Sequence, residues 1–210
     1  MIYLFDDMDA FTSQDLTRGI EKVSTQRRMK ALNFKFEKDR KLSVIAYLLL
    51  MYGLRNEYNI QGTPDFAYTE TQKPYLINSP NVHFNISHCS KVAVCAIMSQ
   101  PIGIDVEMMS SYTPELSEYV HNKEENRIIQ SAPKPQEEFC RLWTAKEAIL
   151  KIKGTGLVDN TKLLITNHPE LFIHSEIYSQ EGYAMSYALY NNRTISIKRI
   201  QKDNLFFTRG

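Results

Sequence analysis

The sequence predicts an α+β protein in two parts that meet near residue 101, and three observations predict it. Helix-like stretches precede strand-like ones twice, once in each half of the chain. Between the halves, Ser99, Gln100 and Pro101 mark a turn. The length of 210 residues suits one large domain or two of about 100 residues each. The expected parts are 1–101 and 102–210.

Residues 17–33 read as a helix, with Ile20, Val23 and Leu32 in phase. A second helix is expected over 39–53, where Asp39 can cap the start and Gly53 can end it. Its body, 42–52, is apolar almost all round, which places it in the core. Residues 61–64 form a loop. From Lys73 to Glu107 the texture changes to short strands. Val82, Phe84 and Ile86 alternate with His83 and Asn85, and 92–98 and 102–107 follow as further strands. A helical stretch over 114–129 breaks before Pro133 and Pro135. A strong helix then spans 136–153, opening after a proline with acids in its first turn and stopping at Gly154 and Gly156. The rest, 163–207, reads as strands (LLIT, LFIHSEIY, YAMSYALY, RTISIKRI). No fixed-period repeat or low-complexity tract appears.

Composition narrows the function classes. With 43% hydrophobic and 23% charged residues, a chain of this length can bury a core without staples. Three cysteines, Cys89, Cys95 and Cys140, with no CxxC spacing argue against a disulfide framework and a zinc ribbon, and point to reduced thiols in a cytoplasmic protein. The acidic start lacks the pattern of a signal peptide, and the longest apolar run is too short to span a bilayer. Eight Lys or Arg against two acids over 22–41, and six acids against one Lys over 105–125, suggest an anion-facing and a cation-facing region. The basic region carries no nucleic-acid motif. Neither HxxxH, GxGxxG after a strand, nor GxxxxGK[ST] is present.

Three segments and a basic pair could carry chemistry. In GIDVE, residues 103–107, Asp105 and Glu107 share one face of a strand and make a hard oxygen site suited to Mg²⁺. In WTAKEAILK, residues 143–151, Glu147 and Lys151 share a helix face, with Thr144 one turn below. Glu147 could be a third metal ligand or a base, and Lys151 could meet a phosphate. In FNISHC, residues 84–89, Ser87 and His88 end a strand and suit phosphate binding better than hydrolysis, because neighbouring strand residues face apart. Arg40 and Lys73 are further phosphate candidates. Taken one at a time, each is also what a solvated strand or helix face looks like.

Their order carries more. Lys73–Pro74, then FNISHC, then GIDVE, then WTAKEAILKIKGTGL resembles the 4'-phosphopantetheinyl transferase family, over about 39–53 and 73–157. The mid-chain GIDVE is similar to the larger, two-lobed branch, which implies two pseudo-symmetric α+β halves with the active site in the interlobe cleft. The resemblance implies that Asp105, Glu107 and Glu147 hold Mg²⁺ (or Mn²⁺), and that Glu147 is the base for the acceptor serine. It implies that Lys151 contacts the pyrophosphate and can protonate the leaving group. It makes Lys73, Ser87 and His88 coenzyme A contacts and Arg40 a contact to the 3'-phosphate. Glu124 sits near a further family acid, and Arg28 is a second candidate for the phosphate. Cys89 stands where the family often has serine. The implied activity is transfer of the phosphopantetheine arm of coenzyme A to a serine of an acyl or peptidyl carrier protein by a monomeric, cytoplasmic enzyme. A non-catalytic coenzyme A or nucleotide-binding module, a metal-dependent pyrophosphate hydrolase and a structural or interaction protein are the rival readings.

Overall fold

The structure, a computed structural model, describes residues 1–155 and 168–206. The expected strand LLIT lies outside the described residues. The chain divides into two compact units: Met1–Ala67, Pro74–Gln100 and Ile195–Gly210 form one, and Tyr68–Lys73 with Pro101–Thr194 form the other.

In the first unit, β1 (Ile2–Phe5), β4 (His83–His88), β5 (Ala93–Met98) and β9 (Ile197–Arg199) form a sheet in the order β4-β5-β1-β9. The first two pairings are antiparallel and β1 with β9 is parallel. The opening residues, read in the sequence only for their acidity, are thus an inner strand. Three helices belong to this unit: α1 (Ser13–Lys22), α2 (Thr25–Leu32) and α3 (Glu37–Tyr58), with a short α7 (Lys202–Leu205) near the end. The single helix expected over 17–33 is two, because Ser24 accepts from the Arg27 N–H and starts a new helix. The core helix α3 runs past Gly53 to a left-handed Asn59 at φ 55°. Gly53 stays helical for a packing reason. A Cβ there would lie 2.2 Å from Ile97 Cδ1 and 2.6 Å from Tyr3 Cε2, so glycine lets α3 close onto β1 and β5. Val44, Leu48 and Leu49 of α3 pack with Phe5, Cys95 and Ile97 of the sheet. A short pair, β2 (Phe66–Tyr68) with β3 (Pro74–Leu76), completes the list up to β5.

The second unit holds the antiparallel sheet β6-β8-β7, made of β6 (Gly103–Met108), β8 (Tyr183–Leu189) and β7 (Phe172–Tyr178). Its helices are α4 (Pro114–Val120), α5 (Lys123–Ser131) and α6 (Pro135–Lys153). The stretch expected as one helix over 114–129 is broken at His121–Asn122, where Asn122 and Glu125 form a reciprocal capping box. The prediction for α6 holds almost to the residue, and Gly154 ends it at φ 67°. Helix α6 buries Phe139 and Leu142 against Val120 and Ile129, and Ala148, Ile149 and Ile152 against Leu171 and Ala188. Helices and largely antiparallel sheets in both units make the α+β class.

Candidate active site

The site starts from a glycine. On β6 the side chains alternate, so Gly103, Asp105 and Glu107 share a face while Ile104 and Val106 take the other. A Cβ on Gly103 would stand 1.9 Å from the Ala148 carbonyl oxygen and 2.6 Å from the Ile152 nitrogen. The face carrying the acids is therefore the one that α6 covers. On α6, Thr144, Glu147 and Lys151 follow at three and four residues and share a stripe. Lys151 Nζ donates to Asp105 Oδ1 at 2.5 Å, and Asp105 is 3% exposed. Directly across the sheet from Asp105 is Ser186. Its hydroxyl shares a hydrogen bond of 2.7 Å with Thr144 and one of 2.8 Å with Ser175. Thr144 in turn donates to the Cys140 carbonyl at 2.7 Å. This hydroxyl chain ties α6 to β8 behind the acids.

Burial, and then the negative charge of Asp105, pushes the Glu107 carboxyl up to about 7. The same two causes, in the same order, raise Glu147, while Lys151 acts against both shifts. Glu147 Oε1 is buried without a hydrogen-bond partner. Carboxylates held together against their own repulsion are suited to a hard cation. The donor set therefore fits Mg²⁺, although among the described residues no three acids, histidines or cysteines converge as a ready-made ion cage.

Lys73 reaches α6 from the turn after β2. Its Nζ donates to the carbonyls of Lys151 at 2.6 Å and Ile152 at 3.1 Å. Ser87, Arg40 and His88 lie in the first unit. Ser87 is buried near the end of β4 and His88 is exposed beside it, as alternation requires. Arg40 sits in the first turn of α3, and its Nε donates to the Phe34 carbonyl at 2.8 Å. Arg28 is spent on the end of α1, donating to the carbonyls of Ile20 and Glu21. The cations of α2 that lie together are instead Arg27 and Lys30. Arg27 Nη1 stands 3.4 Å from the buried Ser43 hydroxyl. Partial desolvation and the Arg27 charge hold the Lys30 ammonium below its usual range.

Sequence reasoning missed a second buried ionic group. Lys146 is fully buried and donates to Glu125 Oε2 at 2.6 Å and to the Val120 carbonyl at 3.2 Å. The acid that matters here is Glu125, since Glu124 is exposed. A signal was available: Asn122 followed three residues later by Glu125 is a capping-box pattern. Beside this pair lies His121, with both ring nitrogens shut from solvent. Burial, and then the Lys146 charge, lowers its pKa from 6.5 to about 3. The folded protein thus keeps His121 neutral while the unfolded chain takes a proton below about pH 6.5. The contribution of His121 is full above that pH and is lost as pH falls towards 3. Between pH 7 and pH 5 wild-type protein is expected to lose about 2 kcal/mol more stability than His121→Phe, measured by urea unfolding at both pH values.

Two family models and several curated relatives match this chain. Residues 101–196 match the family described as the 4'-phosphopantetheinyl transferase superfamily, and residues 11–100 match 4'-phosphopantetheinyl transferase, N-terminal. A 4'-phosphopantetheinyl transferase of Bacillus subtilis is 32% identical over 67% of this chain and 64% of its own length. The 4'-phosphopantetheinyl transferase Sfp of Bacillus subtilis (strain 168) is 30% identical over 71% of this chain and 69% of its own. A third relative, gsp of Aneurinibacillus migulanus, is 30% identical over 72% and 63%. The matched region thus spans about two thirds of the length of these relatives. With both halves matched in order, and with the acids of β6 and the glutamate and lysine of α6 on facing surfaces, the chain belongs to the 4'-phosphopantetheinyl transferase superfamily, on its Sfp-like branch.

Proposed function

We propose that this chain transfers the 4'-phosphopantetheine arm of coenzyme A to a serine of an apo acyl or peptidyl carrier protein, releasing 3',5'-ADP. The observation that carries the reading is the pairing of β6 with α6: Asp105 held at 2.5 Å from Lys151, with Glu107 and Glu147 close enough to feel the Asp105 charge. Asp105, Glu107 and Glu147 would hold Mg²⁺, with Mn²⁺ as the other candidate. When bound, such a cation neutralises charge developing on the pyrophosphate oxygens.

The chain's own residues do the rest. Glu147, which burial and then the Asp105 charge make a stronger base than an ordinary carboxylate, accepts the proton of the carrier serine. The serine oxygen forms a bond to the β-phosphorus as the bond from that phosphorus to the 3',5'-ADP oxygen breaks. Lys151 donates a hydrogen bond, and finally a proton, to that leaving oxygen. Both groups sit on a rigid helix, so positioning and electrostatics supply most of the rate. Ser87, His88 and Arg40 are the proposed coenzyme A contacts of the first unit, and Arg27 with Lys30 offers a further place for a phosphate. Three buried cysteines, none of them in a disulfide, accord with a reducing cytoplasmic location, and among the described residues no helix is long and apolar enough to cross a membrane. A monomer is the proposed active form.

The test is to incubate the protein with coenzyme A, Mg²⁺ and a panel of apo carriers and weigh the carriers intact. One phosphopantetheine gained per carrier serine, with an equal amount of 3',5'-ADP, is the expected result. Free phosphopantetheine appearing with no carrier present would instead mean hydrolysis.

A further inference from the structure

Lys73 is held in a turn built for a single geometry. The Thr69 N–H donates to the Lys73 carbonyl at 3.0 Å, the Lys73 N–H donates to the Thr69 hydroxyl at 3.1 Å, and the Gln72 N–H closes on the Thr69 carbonyl at 2.9 Å. Gln72 is kept at φ 65°, a conformation that is uncommon for a residue with a side chain. From this turn two donors reach the end of α6. The Thr71 hydroxyl donates to the Gly154 carbonyl, and the Lys73 ammonium donates to the carbonyls of Lys151 and Ile152.

The last carbonyls of a helix lack partners within it and carry the negative end of its dipole. A half-buried ammonium and a hydroxyl placed there serve as a cap supplied by a distant part of the sequence. Gly154 takes part sterically as well: a Cβ on it would meet Lys73 Cδ at 3.1 Å. One of the capped carbonyls belongs to Lys151 itself, whose side chain reaches Asp105.

We propose that Lys73, together with Thr71, is a positioning element for the active site: it fixes the final turn of α6 and so sets where Lys151 meets Asp105. This differs from the role of coenzyme A contact that the family resemblance implies for Lys73, which would be read in KM for coenzyme A instead. Its catalytic consequence rests on the transfer reading above. The cap itself exists in the ligand-free protein and does not depend on that reading.

Two measurements on Lys73→Met separate the roles. In the ligand-free protein, hydrogen exchange of the amides over 150–154 should speed up about tenfold, with the amides of β1 and β5 as an unaffected internal control. With a carrier substrate, kcat should fall about tenfold while KM for coenzyme A stays within twofold. Lys73→Arg, which keeps the charged donor, should recover most of both. Unchanged exchange in Lys73→Met would overturn the proposal, as would a raised KM for coenzyme A with kcat intact. If Lys73→Met does not fold, Thr71→Val removes only the hydroxyl donor and should raise exchange of the same amides about threefold, with no change again counting against the cap. A wild-type protein that modifies no carrier would sink the transfer reading and leave the exchange result to judge the cap alone.

Discussion

Asp105→Ala is expected to lower phosphopantetheine transfer roughly 10³-fold, the scale seen when one preorganised charge-stabilising group is removed from an active site. The fold should survive. Replacing Asp105 relieves the crowding that pushes Glu107 and Glu147 up. Lys151, which loses the carboxylate, is 27% exposed along its side chain and can turn its ammonium to water. The expected pattern is therefore an inactive protein with a melting temperature within a few degrees of wild type. Mg²⁺ should raise the melting temperature of wild type and have little effect on the variant. The measurements are the initial rate of carrier mass gain and a pair of thermal melts with and without Mg²⁺. A folded Asp105→Ala protein that turns over near the wild-type rate would overturn the assignment of this carboxylate to the site.

Gly103→Ala is expected to be the most disruptive glycine-to-alanine change among the described residues, costing about 4 kcal/mol or more, beyond the usual range of overpacking. The added Cβ has no flexible neighbour to displace. It meets the Ala148 carbonyl oxygen at 1.9 Å and the Ile152 nitrogen at 2.6 Å, both backbone atoms of a regular helix. Accommodation requires α6 to move away from β6 as a body, since packed interiors transmit such strain. That movement separates Asp105 from Lys151 and opens the buried layer of Ala148, Ile149 and Ala188. Urea unfolding should show the stability loss, and the surviving folded fraction should transfer at a small percentage of the wild-type rate. A variant of normal stability and activity would mean that β6 and α6 do not approach as described.

Much of this protein was legible residue by residue. The acids of GIDVE fall on one strand face because side-chain period is two, and Glu147 and Lys151 fall on one helix stripe because helical period is 3.6. Helix α6 was legible at both ends, because a proline with following acids starts it and a left-handed glycine stops it. Local signals failed where long-range packing overruled them. Gly53 looks like a stop, yet it lies within α3 because Ile97 and Tyr3 need its space. The break in the helix expected over 114–129 is by contrast local, since Asn122 and Glu125 cap a new helix; only the burial of Glu125 against Lys146 is long-range. A lysine next to Glu147 does not announce itself as fully buried. Its burial depends on an acid 21 residues away in sequence.

By itself the sequence determined the α+β class, the family and the candidates for chemistry, because these rest on local periodicity and on motif order. Only the tertiary structure decided which segments meet. It placed Asp105 against Lys151 through the absence of a side chain at Gly103. It spent Arg28 on the end of α1 and set Arg27 beside Ser43. It also turned Lys73 towards the carbonyls of α6. The physical reason is the same in each case. A charged side chain takes whichever partner the fold brings within about 3 Å, the reach of a hydrogen bond, and that distance is set by packing between elements far apart in the chain.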